Sequence, residues 1–392
     1  MRSLRIIVDY SITNLAVQAG GIENSAKKMI EGLRVCGAEM FPIRLRFTSE
    51  CIVPQTQKNN EGEFTWHELH VPHEIGEAFS AEQFSWRSVD RLVVEEYVKF
   101  FKEVQPDLIL INGFPWFQHY LVQAARTAHI PYIILHHGLV YKELPYIAIS
   151  SSARHRVEMW EREGSDKAAG EIFITQQSLR VWRDKNILSR KNSDFVVPLP
   201  VDDIFFARNK VFRVPKDKVQ IGWVGRWDAL KRPEYVAQIA SHLKRTHDVH
   251  AVTRVTRNSL ILFTEEVFSR QVILHAPMPP VELHVFYASL DACILPSAFE
   301  AMGKVVIEAA ASGIPTFITE DVCLSDIYHQ TNMQDFFLTG KDIGEDVKCI
   351  QRNRNKKCTP EFLAYVENEH RESVAYPRLY KALCDINNIV GN

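Results

Sequence analysis

Two short stretches of this sequence hold the side chains best suited to chemistry. In "WVGRWDALKRPE" a strand-like run ends at Val224, Gly225 permits a tight turn, and Arg226 and Lys231 lie in the loop before a helix. Cations beside a helix N-terminus suit phosphate oxygens, combining charge with free backbone N–H groups. Arginine adds a bidentate fork and lysine a point charge. In isolation, two solvated charges on a surface loop would look the same.

The second stretch is "FEAMGKVVIEAAASGIP", with Glu300 and Glu308 separated by seven residues. It follows the strand-like "DACILP" and runs into "GIP", which caps a helix and leads into another strand. Glu300 is therefore predicted in a strand-to-helix loop and Glu308 about one turn into the helix. The two do not share a helical face, so paired acid–base work at glycosidase spacing is not implied. Carboxylates that accept hydroxyl hydrogen bonds clamp ribose or sugar rings well. Gly303 lets backbone approach a ligand closely. By itself this spacing is common enough to arise by chance.

Further candidates are weaker. "PYIIL" reads as a strand ending at "HHG", which puts His136 and His137 at its end; either could be hydrogen-bonded structure instead. Phe114, Trp116, Phe117 and Tyr120 in "NGFPWFQHY" read as core or helix packing, with an acceptor platform as the alternative. His247 and His250 lack cysteine partners and read as solvent-facing rather than metal ligands. "SSARHRVEMWEREG" and "KKMIEGLR" mix basic and apolar residues. They read as solvated helix faces, with peripheral membrane contact as the other possibility. No Ser-His-Asp order, HExxH, P-loop or GxGxxG supports hydrolase, zincin, NTPase or dehydrogenase chemistry.

The elements that must position these residues alternate almost from end to end. "LRIIVDY", "LILIN" and "PYIIL" read as strands, separated by helical periodicity in "GGIENSAKKMIEGLRVCG" and "VDRLVVEEYVKFFKEV". A second series starts near residue 218, with strands in "VQIGWVG", "HAVTRV", "VILHAP", "DACILP" and "PTFIT" and helices between them. Such alternation implies parallel sheets covered by helices on both faces. The proline-containing "FVVPLPVDDIFFARNKVFRVPKDK" reads as the connection between two Rossmann-like domains. Ligands in such sheets sit at the carboxyl ends of the strands.

Composition is that of an ordinary globular chain: 392 residues, 46% hydrophobic, 24% charged and a net charge of −2. Nothing in this balance favours nucleic acid. Seven scattered cysteines without a CxxC pair fit reduced thiols. With no long apolar run and no signal-like N-terminus in "MRSLRIIVDY", the expected setting is cytoplasmic.

Taken in order, these motifs resemble a family. "GRWDALK" is similar to the G-R-x4-K phosphate loop of retaining glycosyltransferases with the GT-B fold, family 4. "EAMGKVVIE" with "AAASGIP" resembles its E-x7-E signature, "PLPVDDIFF" its N-G-V-D segment, and "AGGIENSAKKMIEGL" its G-G-x-E helix start. The resemblance spans most of the chain and is strongest from 219 to 319.

It implies a GT-B fold, two Rossmann-like domains facing a central cleft. Residues 1–199 would form the acceptor-side domain, and 200–369 the nucleotide-sugar domain. A helix from roughly 370 to 392 would pack back on the first. Arg226 and Lys231 would neutralise the donor diphosphate, Glu308 hold the ribose, and Glu300 face the transferred sugar. Backbone around Met302, Gly303, Lys304 and Val305 would line the donor, and Gly20 and Gly21 the far wall. His137 would touch the donor sugar. The donor would be a nucleoside diphosphate sugar, with no metal or other cofactor, and the acceptor a glycan, lipid-linked sugar or small molecule. A lipid-linked acceptor would bring the protein to the inner face of a membrane.

Departures from the family pattern are Ala301, Met302 and Lys304, Pro200 in place of a glycine, and no glycine-rich loop in "AVTRVTRNSL". They leave base and sugar identity open. A non-catalytic sugar-nucleotide-binding subunit and a GT-B epimerase are the alternatives.

Overall fold

The computed structural model describes residues 3–9, 21–73, 88–113, 117–147, 149–185, 194–207, 217–256, 258–261 and 264–391. Among these, the strands form one eight-stranded and one six-stranded sheet. The first sheet contains β1 Arg5–Asp9, β2 Glu39–Thr48, β3 Gln55–Glu61, β4 Phe64–Pro72, β5 Leu108–Asn112, β6 Tyr132–His136, β7 Gly170–Phe173 and β8 Asp194–Val196. Their spatial order is β3-β4-β2-β1-β5-β6-β7-β8. The second contains β9 Val219–Val224, β10 His247–Val252, β11 Ile273–His275, β12 Ala292–Leu295, β13 Thr316–Thr319 and β14 Phe337–Leu338, in the order β11-β10-β9-β12-β13-β14.

The helices, in chain order, begin with α1 Gly21–Val35, α2 Ser88–Val104, α3 Gln118–Thr127, α4 Val140–Glu143, α5 Ser151–Lys167, α6 Gln176–Lys185 and α7 Pro233–Leu243. They continue with α8 Glu265–Ser269, α9 Pro280–Ala288, α10 Lys304–Ala311, α11 Ser325–Gln330, α12 Ile343–Asn353, α13 Pro360–His370 and α14 Glu372–Gly391. This is the two-domain α/β architecture expected from the sequence.

The strands β1, β5, β6 and β12 are buried almost throughout, as strands covered on both faces must be. One expectation needs correcting. The first sheet is not purely parallel, because β3 pairs antiparallel with β4 through the turn at Gly62, where φ is +59°. Its sequence "QTQKNNE" is polar at nearly every position and lies at the sheet edge. An edge strand needs no buried face, so the apolar periodicity that reveals strands is missing.

The connection between the domains runs out of β8 and crosses to the second domain. Val201 N–H donates to the His370 carbonyl at 3.1 Å, and His370 Nδ1 lies 2.8 Å from the Leu199 carbonyl. The chain then returns, for α14 packs against α1 of the first domain. Gly32 makes that contact possible: a Cβ there would fall 2.3 Å from the Tyr376 ring. Nearby, Lys28 of α1 pairs with Asp202 of the connection and, at 3.3 Å, with Glu372 of α14.

Because Gly32 and Tyr376 are in contact, Gly32→Leu is expected to overpack this seam. A loss of about 1–3 kcal/mol should appear as a lower midpoint in urea unfolding. An unchanged midpoint would mean that α14 is not held against α1.

Candidate functional site

The phosphate-type loop is organised by one carboxylate. After β9, Asp228 Oδ1 accepts the Lys231 N–H at 3.0 Å and caps the short turn Ala229–Lys231. Its other oxygen lies 3.2 Å from Arg226 Nε. Trp227 anchors the loop from below, buried edge-on against Phe268 at 4.9 Å. Arg232 takes a left-handed conformation (φ +54°) and Pro233 then starts α7. The two cations of the sequence motif are thus set on one turn by Asp228.

The acidic loop lies beside it. Ala298 N–H donates to the Leu230 carbonyl at 2.9 Å, joining the two loops directly. Lys231 Nζ forms an ion pair with Glu300, and the Ser297 hydroxyl donates to the same Glu300 oxygen at 2.9 Å. Glu300 backbone is clamped as well, accepting from Cys323 N–H at 2.7 Å and donating to Asp321 at 3.1 Å. Gly303 then turns the chain into α10 with φ +76°. A Cβ there would press on Leu295 at 3.1 Å and Val322 at 3.2 Å, so both conformation and space call for glycine. Lys304 and Val305 form the first turn of α10, at the positive end of its dipole.

Glu308 sits deeper. It accepts a hydrogen bond from Tyr287 at 3.1 Å, and Tyr287 packs edge-on against Phe205 at 5.9 Å. Burial pushes the Glu308 carboxyl above its ordinary range, Lys304 and Tyr287 pull it down, and Asp202 pushes it further up. The "VDDIFF" segment therefore meets the Glu308 helix through Asp202 and Phe205. Ala301 and Met302 are buried in the core, where Met302 fills space rather than presenting a side chain.

The first domain closes over these loops. Thr175, which follows β7, donates its hydroxyl to the Ala301 carbonyl at 2.9 Å. Gln177 accepts from the Ser325 hydroxyl at 3.0 Å, and Arg180 pairs with Asp326. The two histidines after β6 separate cleanly. His136 is buried, 2.9 Å from Glu171 and stacked on Phe173 at 4.5 Å. His137 hydrogen-bonds Asn112 and faces Lys304 across the domains. Burial, Lys304 and His136 hold its pKa down near 4, so it is neutral at pH 7.

Other candidates fall elsewhere. Gly20 lies outside the described residues, as do Phe114 and Trp116, and Gly21 is the first residue of α1. Phe117 and Tyr120 are core residues, with Tyr120 bonded to Asp90 at 2.5 Å. In α5, Trp160 turns inward onto His119 at 4.4 Å, leaving Met159 exposed. Among the described residues no helix is long and apolar enough to cross a membrane. His247 is buried, contrary to its solvent-facing reading, because it starts β10 inside the sheet. His250 bonds Gln220 at 2.8 Å and His275 at 3.0 Å. Asp228, Ser297, Tyr287, Thr175 and Glu143 were not singled out by sequence. For Asp228 a signal existed, since an aspartate three residues before Lys231 is a capping pattern.

Residues 206–331 match the family model described as glycosyl transferases group 1. The matched segment includes the phosphate-type loop, the acidic loop and Glu308. Over 118 residues it is 33% identical to a D-inositol 3-phosphate glycosyltransferase of Corynebacterium urealyticum, covering 27% of this chain and 28% of that protein. Over 179 residues it is 23% identical to an uncharacterized 41.2 kDa protein in the cps region of Klebsiella pneumoniae, covering 43% of this chain and 48% of that one. The matches thus span about half, or less, of these curated relatives.

The fold agrees with solved structures over nearly the whole chain. Sucrose-phosphate synthase from Thermosynechococcus elongatus superposes with a TM-score of 0.70 at 14% identity, covering 98% of this chain and 100% of that one. A UDP-forming α,α-trehalose-phosphate synthase from Burkholderia xenovorans gives 0.68 at 13%, with the same coverage. The matched segment therefore lies within a GT-B architecture.

Glu308 gives a test of this geometry. A carboxyl raised on folding has its full linked stability below the ordinary carboxyl range and loses it as pH rises through the raised value. Glu308→Gln, neutral at every pH, should melt higher than the parent protein at pH 8. The gap should close towards pH 5 in thermal melts; a parent protein more stable than the variant at pH 8 would contradict the buried setting.

Proposed function

We propose that this chain is a retaining, metal-independent glycosyltransferase. It moves a sugar from a nucleoside diphosphate sugar to an acceptor hydroxyl on a glycan, a lipid-linked sugar or a small molecule, in polysaccharide or glycoconjugate biosynthesis. The reading is carried by one observation: the loops after adjacent strands β9 and β12 meet under the first domain, with Arg226 on Asp228 and Lys231 in direct contact with Glu300. One solved structure of the same fold, from E. coli, is bound with UDP-2-fluoro glucose.

The chemistry follows from charge. As the sugar C1–O bond breaks, negative charge grows on the leaving diphosphate. Arg226, Lys231 and the N-terminus of α10 are fixed before that charge develops, which is how a preorganised site lowers a barrier. Glu308 accepts ribose hydroxyls, and Glu300, held by Lys231 and Ser297, faces the sugar. Retention needs no enzymic nucleophile if the leaving phosphate takes the acceptor proton. The neutral His137 adds a hydrogen-bonding group from the opposite side. Contacts such as Thr175 to Ala301 bring the domains together and exclude water, which would otherwise compete as acceptor.

A thermal-shift screen of UDP, GDP and ADP sugars identifies the donor, since a ligand bound only to the native state raises its melting temperature. With that donor, Lys231→Ala is expected to lower transfer by about 10²–10³-fold while the protein remains folded. Lost transfer in the variant, measured as release of the nucleoside diphosphate, supports the assignment. Full activity would remove Lys231 from the reaction, and binding without turnover in the parent protein would favour a non-catalytic subunit.

A further inference from the structure

Glu143 is the last residue of α4, the short helix that follows β6 and His137. Its carboxyl folds back over Gly138, where a Cβ would fall 1.9 Å from Oε1. The absence of a side chain at Gly138 leaves the space the carboxyl fills. α4 is pinned from behind: Val140 N–H donates to the buried Glu161 at 3.3 Å, and Tyr141 N–H donates to the same carboxyl. Leu139 and Leu144 are buried on either side. The Glu143 carboxyl therefore projects from a fixed element, partly exposed, towards the second domain.

Among the described residues, charges from both domains surround it. Across the domains stand Arg226, Asp228 and Lys231 of the phosphate-type loop and Glu300 of the acidic loop. From the first domain, Glu161 of α5 lies behind it, with Glu171 of β7 and His136 paired further back. On α4 itself, Lys142 turns its ammonium onto the Tyr141 ring at 5.8 Å. Against the pull of Arg226 and Lys231, burial together with Glu300 and Asp228 raises the Glu143 pKa to about 7.

We propose that Glu143 is a donor-binding residue whose protonated carboxyl donates a hydrogen bond to a phosphate oxygen of the nucleoside diphosphate sugar held by Arg226 and Lys231. This inference rests on the donor reading above. A carboxylate so close to a diphosphate would repel it, whereas the neutral acid supplies an O–H. The bound diphosphate also cancels the two cations that favour the carboxylate. Donor binding is therefore coupled to uptake of a proton at Glu143. Before the donor binds, His137 is neutral between pH 6 and 8, its pKa held near 4 by burial, Lys304 and His136.

Calorimetric titration of the full chain tests this, using whichever of UDP-glucose, GDP-mannose or ADP-glucose binds. These intact donors have no phosphate group that titrates near neutral pH. Titrations at pH 6, 7 and 8, each in two buffers of different ionisation heat, report both affinity and protons taken up. Uptake is expected to approach one proton at pH 8, and binding to weaken by up to about tenfold per pH unit above 7. Glu143→Gln keeps an N–H donor and should show neither effect, binding at pH 8 about as well as the parent protein does at pH 6. Gly138→Ala, whose methyl displaces the carboxyl, should weaken binding at pH 6 and abolish the uptake.

Donor binding with no pH dependence, or proton uptake unchanged in Glu143→Gln, overturns the inference while leaving the donor reading intact. No binding of any donor at pH 6 overturns both.

Discussion

The ion pair between Lys231 and Glu300 exists because β9 and β12 are neighbours in a sheet whose chain order reverses at that point. β9 leads outward through β10 to β11 on one side, while β12 leads through β13 to β14 on the other. Loops leaving the carboxyl ends of the two central strands cannot both cover the same crest, so a crevice opens between them. Into it the two loops deliver opposite charges, one organised by Asp228 and the other by Ser297 and the Glu300–Val322 bridge. The first sheet reverses likewise, between β1 and β5. Its strand ends supply His137 after β6 and Thr175 after β7.

The charges in this crevice are restrained rather than free. Arg226 and Lys231 of the phosphate-type loop each hold a carboxylate of their own domain, so a diphosphate bound as proposed would exchange these partners instead of meeting bare charges. Burial then tunes the groups that remain: it keeps His137 neutral and raises both Glu143 and Glu308. The arrangement depends on the domains being held face to face. Thr175, Gln177 and Arg180 do this at the mouth, and at the far side Lys28 ties α1 to the connection and to α14.

Much of the second domain was legible in the sequence because its information is local. The positions of Arg226, Lys231, Glu300 and Glu308 relative to strands and helices follow from short apolar runs, one proline and two glycines; the structure pairs Lys231 with Glu300 across the two loops and sets Glu308 deeper, on α10 against Tyr287. Local information does not reach across domains. Glu143 ends a four-residue helix with no periodicity, and only the closed arrangement sets it opposite Arg226. The same holds for Thr175 and Gln177, ordinary polar residues at the start of α6. The polar edge strand β3 escaped for another reason, having no buried face to imprint a pattern. His247 shows the converse error, a polar residue read as exposed although the sheet buries it.

A crystal structure with the intact donor bound bears most directly on the central claim. The diphosphate is expected within hydrogen-bonding distance of Arg226 and Lys231, with the ribose on Glu308. A diphosphate seated away from both loops, with the Lys231–Glu300 pair undisturbed, would contradict it.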